Sequence, residues 1–194
     1  MADFGVKIAC DPVYGVTAPA CLVRRSTDQL KGKYSMAQEI ERKYLVDTKL
    51  WRPLAAGLLY RQGYLSSVNE RVVRVRIAAD RGFLTIKGVT TGLCRLEFEY
   101  PIPREDAAVL LDKLCERPLI EKTRHREVFD GRTWEIDVFH GDNDGLVIAE
   151  IEVASPTEAT ARPPWAGAEV SNDPRYFNSN LVAHPYKSWG GKRA

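Results

Sequence analysis

Thiol and imidazole ligands for a metal ion are scarce in this sequence. The four cysteines form no close pair and no zinc-like spacing; they lie at positions 10, 21, 94 and 115. The three histidines, His125, His140 and His184, are scattered along the chain. These residues predict neither a zinc site nor a disulfide framework, and nothing in them calls for an oxidising compartment.

Long apolar runs and a large net charge are missing as well. The apolar runs of residues 1–35 are far shorter than a signal-peptide core or a membrane span. The formal net charge is only +2, which gives no electrostatic indication of nucleic-acid binding. We therefore expect a cytoplasmic protein that binds neither nucleic acid nor membrane. The sequence leaves open whether the chain forms a homodimer.

The chain of 194 residues is long enough for one well-buried domain, preceded by a segment of different character. Residues 1–35 show no sustained periodicity, whereas Met36 leads directly into a strong strand pattern. We predict that residues 1–35 are a loosely ordered leader, upstream of a natural start at Met36. Residues 36–194 are predicted to form the domain.

Alternation of apolar and polar residues dominates from Gln38 onward and predicts eight strands. They are expected at 38–46, 58–65, 70–79, 82–88, 93–101, 120–129, 132–140 and 146–154. Short connections, including turns at Asp80-Arg81-Gly82 and Asp130-Gly131, favour antiparallel pairing. Helical spacing predicts helices at 48–56, 104–116 and about 174–183. The stretch 155–172 is rich in proline, alanine and glycine and is predicted to be a loop.

One face of this sheet carries almost all of the charge, because side chains alternate between the two faces of a strand. Its cationic residues are Lys43, Arg74, Arg76, Lys87, Arg95, Lys122, Arg124 and Arg126. Its anionic residues are as numerous: Glu39, Glu41, Glu97, Glu99, Glu135, Asp137, Glu150 and Glu152. The opposite face is apolar.

Alternation usually means one solvated and one packed face, but three features favour a charged interior here. Serine, asparagine and glutamine are almost absent from the charged face, and a Glu-x-Glu spacing occurs three times, at Glu39/Glu41, Glu97/Glu99 and Glu150/Glu152. The predicted helices could also cover the apolar face. We therefore predict an α+β fold in which an eight-stranded antiparallel β-barrel encloses a charged tunnel, with a few helices outside.

Buried charges are costly unless they are paired or bind something charged. The charges of this interior balance when it is empty. Two divalent cations and a triphosphate carrying roughly four to five negative charges would keep it near neutral. Mg²⁺ prefers carboxylate and phosphate oxygens, arginine and lysine bind phosphates, and phosphoryl transfer needs mainly positioning and charge neutralisation. Charge balance and residue types thus favour a metal–polyphosphate ligand.

The run Glu39-Ile40-Glu41-Arg42-Lys43 resembles the ExExK signature of the CYTH superfamily, the triphosphate tunnel metalloenzymes. The likeness is closest to short bacterial inorganic triphosphatases and spans about 36–187. It includes Arg74-Val75-Arg76, Thr85-Ile86-Lys87, Arg95-Leu96-Glu97-Phe98-Glu99, Lys122-Thr123-Arg124, Glu135-Ile136-Asp137 and Glu150-Ile151-Glu152.

This resemblance implies an eight-stranded antiparallel tunnel that depends on Mg²⁺ or Mn²⁺. It implies metal ligands at Glu39, Glu41, Glu150 and Glu152, with Asp137, Glu97 and Glu99 as further ligands or water-positioning groups. It implies phosphate binding by Lys43, Arg74, Arg76, Lys87, Arg95, Lys122 and Arg124. The expected catalytic residues are Glu41, Glu152 and Lys43, where Lys43 either binds phosphate or helps to activate water.

The reaction expected from the resemblance is hydrolysis of inorganic tripolyphosphate to release orthophosphate. Three alternatives remain open at this point: a class IV type adenylate cyclase, a thiamine triphosphatase, and a non-catalytic polyphosphate- or nucleotide-binding module. The sequence shows no distinct purine pocket and no aromatic platform for thiamine. The retained carboxylates argue against simple binding, which could rely on arginine and lysine alone.

Overall fold

The computed structural model describes residues 5–8, 40–68, 70–91, 94–155 and 157–190. Its strands are β1 Gly5–Ile8, β2 Ile40–Val46, β3 Leu58–Ser66, β4 Arg71–Ala78, β5 Arg81–Thr91, β6 Cys94–Ile102, β7 Ile120–Phe129, β8 Arg132–Phe139, β9 Val147–Val153 and β10 Ala166–Glu169. Its α-helices are α1 Arg104–Lys113 and α2 Asn178–Ala183. Three short 3₁₀ helices cover Gly141–Asn143, Pro174–Tyr176 and Tyr186–Ser188.

All ten strands belong to one sheet, in the order β1-β6-β5-β4-β3-β7-β8-β9-β2-β10. Every neighbouring pair is antiparallel. The eight predicted strands, β2 to β9, form one uninterrupted run of this order, so the predicted α+β class and its antiparallel strands are confirmed. Within the described residues, backbone hydrogen bonds do not join the two ends of the sheet, where β1 and β10 lie.

The sheet encloses an interior because it curves strongly around the C-terminal segment. Val72 on β4 and Leu45 on β2 are five strand steps apart, which is roughly 24 Å in a flat sheet. Both nevertheless pack into one apolar cluster with Leu181 of α2. This end cluster consists of Tyr64, Val72, Ile120, Phe139, Leu146, Ile148, Val170, Tyr176, Leu181 and Val182. It fills one end of the space that the sheet encloses.

Two further apolar clusters cover the outer face of the sheet, as a charged interior requires. Helix α1 packs Ala107 and Leu111 against Val75 and Ile77 of β4. Trp51 and Trp165, from two separate loops, pack against the outer faces of β2, β8 and β9. Apolar side chains are thus buried on the outer face of the sheet. The alternate positions of each strand point inward and carry the charged residues.

One of the two predicted tight turns lies where it was expected, and the other is shifted by one residue. Asp130 and Gly131 have φ of 50° and 73° and connect β7 to β8, so the predicted hairpin turn is confirmed. The β4–β5 turn lies one residue earlier than predicted. Ala79 adopts φ of 53° there, whereas Arg81 and Gly82 already pair with β4.

The helix predicted at 48–56 is wrong. Residues 48–50 form a turn, and the chain then runs irregularly to β3. Pro53 explains the failure, because it removes a backbone donor and disfavours the helical conformation of the residue before it. The Trp51 indole is fixed instead by tertiary contacts, since its Nε1 donates a hydrogen bond to Glu127 Oε1 at 3.1 Å.

Two other predictions need smaller corrections. The helix predicted at about 174–183 is divided at Phe177, whose backbone is extended, into a 3₁₀ turn and α2. The predicted loop 155–172 contains β10, which pairs with β2. Gly167 suits that pairing, because a Cβ there would lie 3.1 Å from the Leu45 carbonyl oxygen. The helix predicted at 104–116 is present but ends at Lys113.

Residues 5–8 are the only part of the predicted leader that the structure describes, and they pair with β6 opposite Leu96–Glu99. The rest of residues 1–35 lies outside the described residues, so the leader hypothesis stays a prediction. In the portion of the chain that is described, neither α-helix has the length and hydropathy needed to cross a membrane.

Candidate active site

Strand register brings most of the charged positions onto the inner face of the sheet. Glu41 pairs with Glu152, and Lys43 with Glu150, between β2 and β9. Partners in an antiparallel pair share a face. The same rule places these further pairs on that face: Arg124 with Asp137, Arg74 with Thr85, Thr85 with Glu99, and Lys87 with Glu97.

Two predicted site residues cannot be followed to their side chains. Glu39 lies outside the described residues. Arg95 belongs to β6 and pairs with Thr90, but its side chain lies outside the described part of the structure. Their predicted roles in binding metal and phosphate stay predictions.

Glu150 lies at the centre of one group of ion pairs, called here the Glu150 group: Lys43, Lys122, Arg124, Glu135, Asp137 and Glu150. The ammonium of Lys43 donates to Glu150 Oε1 and, at 3.3 Å, to Glu41 Oε2. Arg124 Nη2 donates to Glu150 Oε2 at 2.8 Å. Burial would raise the pKa of Glu150, but the charges of Lys43, Lys122 and Arg124 together lower it well below its usual value.

The same contacts decide the protonation state of Lys43. Burial alone would lower the pKa of its ammonium, but the carboxylates of Glu150 and Glu41 outweigh burial and raise this pKa well above its usual value. Lys43 therefore remains a cation at neutral pH. A cation can bind phosphate or donate a proton, but it cannot accept one from water.

Asp137 fixes the orientation of the Arg124 guanidinium through two hydrogen bonds. Its Nε donates to Asp137 Oδ1 at 2.7 Å and its Nη2 to Asp137 Oδ2 at 2.6 Å. Asp137 also accepts a hydrogen bond from the ammonium of Lys122. The side chains of Lys122 and Asp137 are only 3% and 1% exposed, and burial lowers the pKa of Lys122. Lys122 thus lies beneath the charged surface, next to the Phe139 ring of the end cluster.

A second group of charges, the Glu99 group, lies on β4, β5 and β6: Arg74, Arg76, Lys87, Glu97 and Glu99. Glu99 accepts hydrogen bonds from Arg74 at 3.3 Å and from Arg76 at 3.1 Å. Lys87 pairs with Glu97 at 2.7 Å. Burial, together with the neighbouring Arg74 guanidinium, lowers the pKa of Arg76. Two adjacent guanidinium groups that share one carboxylate carry spare positive charge.

The buried Nε atoms of Arg74 and Arg76 have no hydrogen-bond partner among the residues that the structure describes. Leaving a buried donor unpaired costs about 1–3 kcal/mol. An anion with several acceptor oxygens would remove this cost and balance the two guanidinium charges. The fork of a guanidinium suits phosphate in particular.

At the end of the tunnel opposite the end cluster, a cavity of about 350 Å³ opens between β2, β7, β8 and β9. We call it the mouth. It is lined by Glu41, Arg126, Arg132, Thr133, Glu135, Glu150 and Glu152. Four carboxylates in one cavity provide the oxygen ligands that Mg²⁺ and Mn²⁺ prefer. The donor set therefore fits a divalent metal ion.

The metal ligands are nevertheless not preformed. No cluster of three or more His, Cys, Asp or Glu is arranged for a metal ion among the described side chains. Existing ion pairs explain this: Lys43 and Arg124 engage Glu150, while Arg126 and Arg124 engage Glu135. Metal binding would have to displace these cations, which would free them for phosphate.

Sequence patterns did not single out Tyr60 and Phe83, yet both contribute to the inner face. The guanidinium of Arg76 lies 5.6 Å from the Tyr60 ring and 5.3 Å from the Phe83 ring. Tyr60 is on the inward parity of β3, opposite Lys122. The usual pattern of charged inward and apolar outward residues is hard to recognise in β3, because Arg61 places a charge among the outward residues.

A curved antiparallel sheet with a charged interior, covered outside by helix and loop, is the architecture expected from the resemblance. Residues 37–186 match the CYTH domain family. The chain belongs to this family.

The relatives of known name are consistent with one another. The chain is 51% identical over 154 residues to an inorganic triphosphatase of Acetivibrio thermocellus, covering 79% of this chain and 99% of that protein. It is 39% identical over 148 residues to an inorganic triphosphatase of Nitrosomonas europaea, covering 74% and 96%. A crystal structure of an inorganic triphosphatase aligns with a TM-score of 0.58 at 35% identity, covering 76% of this chain and 95% of that one.

Proposed function

We propose that this chain is a metal-dependent inorganic triphosphatase, a hydrolase that converts tripolyphosphate and water to pyrophosphate and orthophosphate. The observation that carries the proposal is the inner face itself. It combines the Nε donors of Arg74 and Arg76, which have no partner within the described part of the chain, with a carboxylate-lined mouth. The named relatives support the same reaction, and their alignment covers nearly their whole length.

The phosphate chain would lie along the cations of the inner face. Arg74 and Arg76 offer guanidinium donors to phosphate oxygens, and Lys43 and Lys87 act as point charges. Arg124 is held by Asp137 through Nε and Nη2 and would offer Nη1, which must first leave Glu135. Arg95 is proposed to bind phosphate as well. Lys122 is proposed to act from beneath, because its buried ammonium is already paired with Asp137.

The carboxylates of the mouth would hold the metal. We propose Glu41, Glu150 and Glu152 of the mouth as main ligands of Mg²⁺ or Mn²⁺, together with Glu39, which lies outside the described residues. Glu97, Glu99 and Asp137 are proposed as further ligands or water-positioning groups. Each of these three is engaged by a cation, so a metal ion there must compete with Lys87, Arg76 or Lys122, respectively. When bound, the metal would neutralise phosphate charge and lower the pKa of a water molecule.

Hydrolysis requires water to form a bond to the terminal phosphorus while the bridging P–O bond breaks. Glu41 and Glu152 face one another at the mouth and are the proposed groups for orienting this water and accepting its proton. Lys43, as a cation, would balance the charge of the departing pyrophosphate. The enclosed interior would limit competing water.

Orthophosphate release and cyclic AMP formation, measured side by side, test the proposal. The substrates are tripolyphosphate, ATP and thiamine triphosphate, each with Mg²⁺ or Mn²⁺. We expect the highest kcat/KM for orthophosphate release from tripolyphosphate. Cyclic AMP from ATP without comparable tripolyphosphate cleavage would identify a cyclase instead, a preference for thiamine triphosphate a thiamine triphosphatase, and binding without turnover a sensing module.

The cellular setting is proposed with the same reaction. We propose a cytoplasmic protein with a small-molecule substrate and without a membrane partner. The modest net charge of +2 fits a protein without a nucleic-acid partner. Light scattering of the purified protein decides between a monomer and a homodimer.

A further inference from the structure

The charged inner face is divided by one strand without inward charge. The Glu99 group lies on β4–β6 and the Glu150 group on β7–β9 and β2, with β3 between them. The inward side chains of β3 from Leu58 to Tyr64 are uncharged: Leu58, Tyr60, Gln62 and Tyr64. Tyr64 belongs to the end cluster, whereas Tyr60 lies beside the arginines.

The Tyr60 ring touches both groups at once. The guanidinium carbon of Arg76 lies 5.6 Å from the ring centroid, and that of Arg124 lies 5.4 Å from it. Both distances are within the range of cation–π attraction. Tyr60 is only 8% exposed, so the ring is held by its surroundings.

Arg76 and Arg124 carry like charges and lie against the same Tyr60 ring, so the two guanidinium groups repel each other. A ring between two like charges offers each an attractive face and keeps them apart. Carboxylates orient the other side of each arginine: Glu99 for Arg76 and Asp137 for Arg124.

We infer that Tyr60 is a positioning residue for the triphosphate: its ring fixes the spacing of Arg76 and Arg124 so that one phosphate chain binds both. The inference rests on the proposed function, since it assumes that the chain binds across β3. Orthophosphate bound by the adjacent Arg74 and Arg76 alone, on one side of β3, does not need that spacing. A triphosphate bound to both Arg76 and Arg124 does.

Substitutions that keep or remove the ring test this role. Tyr60→Phe keeps the aromatic face, whereas Tyr60→Met fills a similar volume without one; Tyr60→Leu replaces Tyr60→Met if that variant does not fold. Tyr44→Met is the matched control. Tyr44 is a buried tyrosine that also lies under a guanidinium, that of Arg162 at 5.8 Å, but it packs outside the sheet, in the apolar cluster that contains Trp51.

Affinity for tripolyphosphate is measured by titration calorimetry without metal, with orthophosphate as a competing ligand, and kinetics are measured separately with Mg²⁺. In Tyr60→Met we expect the metal-free affinity for tripolyphosphate to fall about tenfold and KM to rise about as much, from the loss of two cation–ring contacts. Orthophosphate affinity should stay unchanged. Tyr60→Phe should restore the wild-type values, and Tyr44→Met should leave them unaffected.

The outcomes separate the inference from the proposed function. Wild-type protein without triphosphatase activity would overturn the function itself. Active wild-type protein with unchanged tripolyphosphate affinity in Tyr60→Met would overturn the role of Tyr60. Equal losses for orthophosphate and tripolyphosphate, or a loss in Tyr60→Phe as large as in Tyr60→Met, would also overturn it, because neither result depends on the ring or the spacing.

Discussion

Glu41 and Glu152 show how a single residue's position determines its chemistry. They face each other across β2 and β9 and line the mouth. Glu41 has a side chain that is 40% exposed and pairs with Lys43 at 3.3 Å. It is accessible to a metal ion while remaining part of the charged interior.

Replacing Glu41 tests the proposed metal site. Glu41→Gln keeps the shape of the side chain but removes its charge. We expect metal-dependent turnover of tripolyphosphate to fall by about 100-fold or more, since replacing even a residue that only hydrogen-bonds a metal ligand lowers activity or metal affinity by about 10–100-fold. Circular dichroism should show an intact fold. Glu105→Gln, an exposed position in the first turn of α1, is the control. Full activity in Glu41→Gln would remove this residue from the site.

The lowered pKa of Glu150 predicts how the stability of the metal-free protein changes in acid. Its pKa in the folded state is lowered by Lys43, Lys122 and Arg124, against the effect of burial. The resulting stability is fully present above the ordinary glutamate pKa of about 4.5 and is lost as pH falls towards the lower folded-state value. Urea denaturation with EDTA should therefore show stability decreasing below this pH.

The comparison with Glu150→Gln isolates this residue. The variant should be less stable than wild type at neutral pH, because Lys43 and Arg124 lose a buried partner. Its stability should depend less on pH between about 4.5 and the acid limit. Parallel pH profiles for the two proteins would contradict the assignment.

At the scale of elements, α2 determines which end of the tunnel is closed. Its Leu181 is fully buried within the end cluster, beside the inward side chains of β3, β4, β7, β8 and β9. Only six residues form this helix, so its position depends on tertiary packing more than on helix propensity.

Truncating Leu181 should measure that packing. Leu181→Ala is expected to lower the free energy of unfolding by about 2–5 kcal/mol, from lost burial and the cavity left behind. Leu54→Ala, at a position that is 81% exposed, should change it by no more than about 0.5 kcal/mol. Equal effects in chemical denaturation would mean that α2 does not close the tunnel in solution.

At the scale of the whole molecule, the proposed domain begins at Met36. Strands β2–β9 and the C-terminal segment all follow that residue, and the CYTH match covers residues 37–186. A chain that starts at Met36 should therefore fold and hydrolyse tripolyphosphate as the full chain does. Intact-mass measurement on native protein would show which start is used.

The shortened chain should differ in one respect. Without β1, the edge of β6 loses its antiparallel partner, and an open strand edge favours association. We expect more self-association by light scattering and unchanged turnover. A loss of activity on removal of residues 1–35 would show that the leader belongs to the functional domain.

The sequence predicted the strands well because their signal is local. Alternation at Arg74-Val75-Arg76 or Glu150-Ile151-Glu152 assigns each residue to a face without any knowledge of neighbouring strands. The failures at 48–56 and 155–172 have a different origin. Trp51 is held by Glu127, and β10 by the free edge of β2, and both partners are distant in sequence.

By itself, the sequence determined the strand order along the chain, the charged parity and the class of ligand that this parity favours. Only the tertiary structure decided that Lys122 and Asp137 lie beneath the surface and that Arg76 and Arg124 share the Tyr60 ring. The physical reason is that parity is set by the backbone of one strand, whereas burial, ion pairing and ring contacts depend on how several strands curve together.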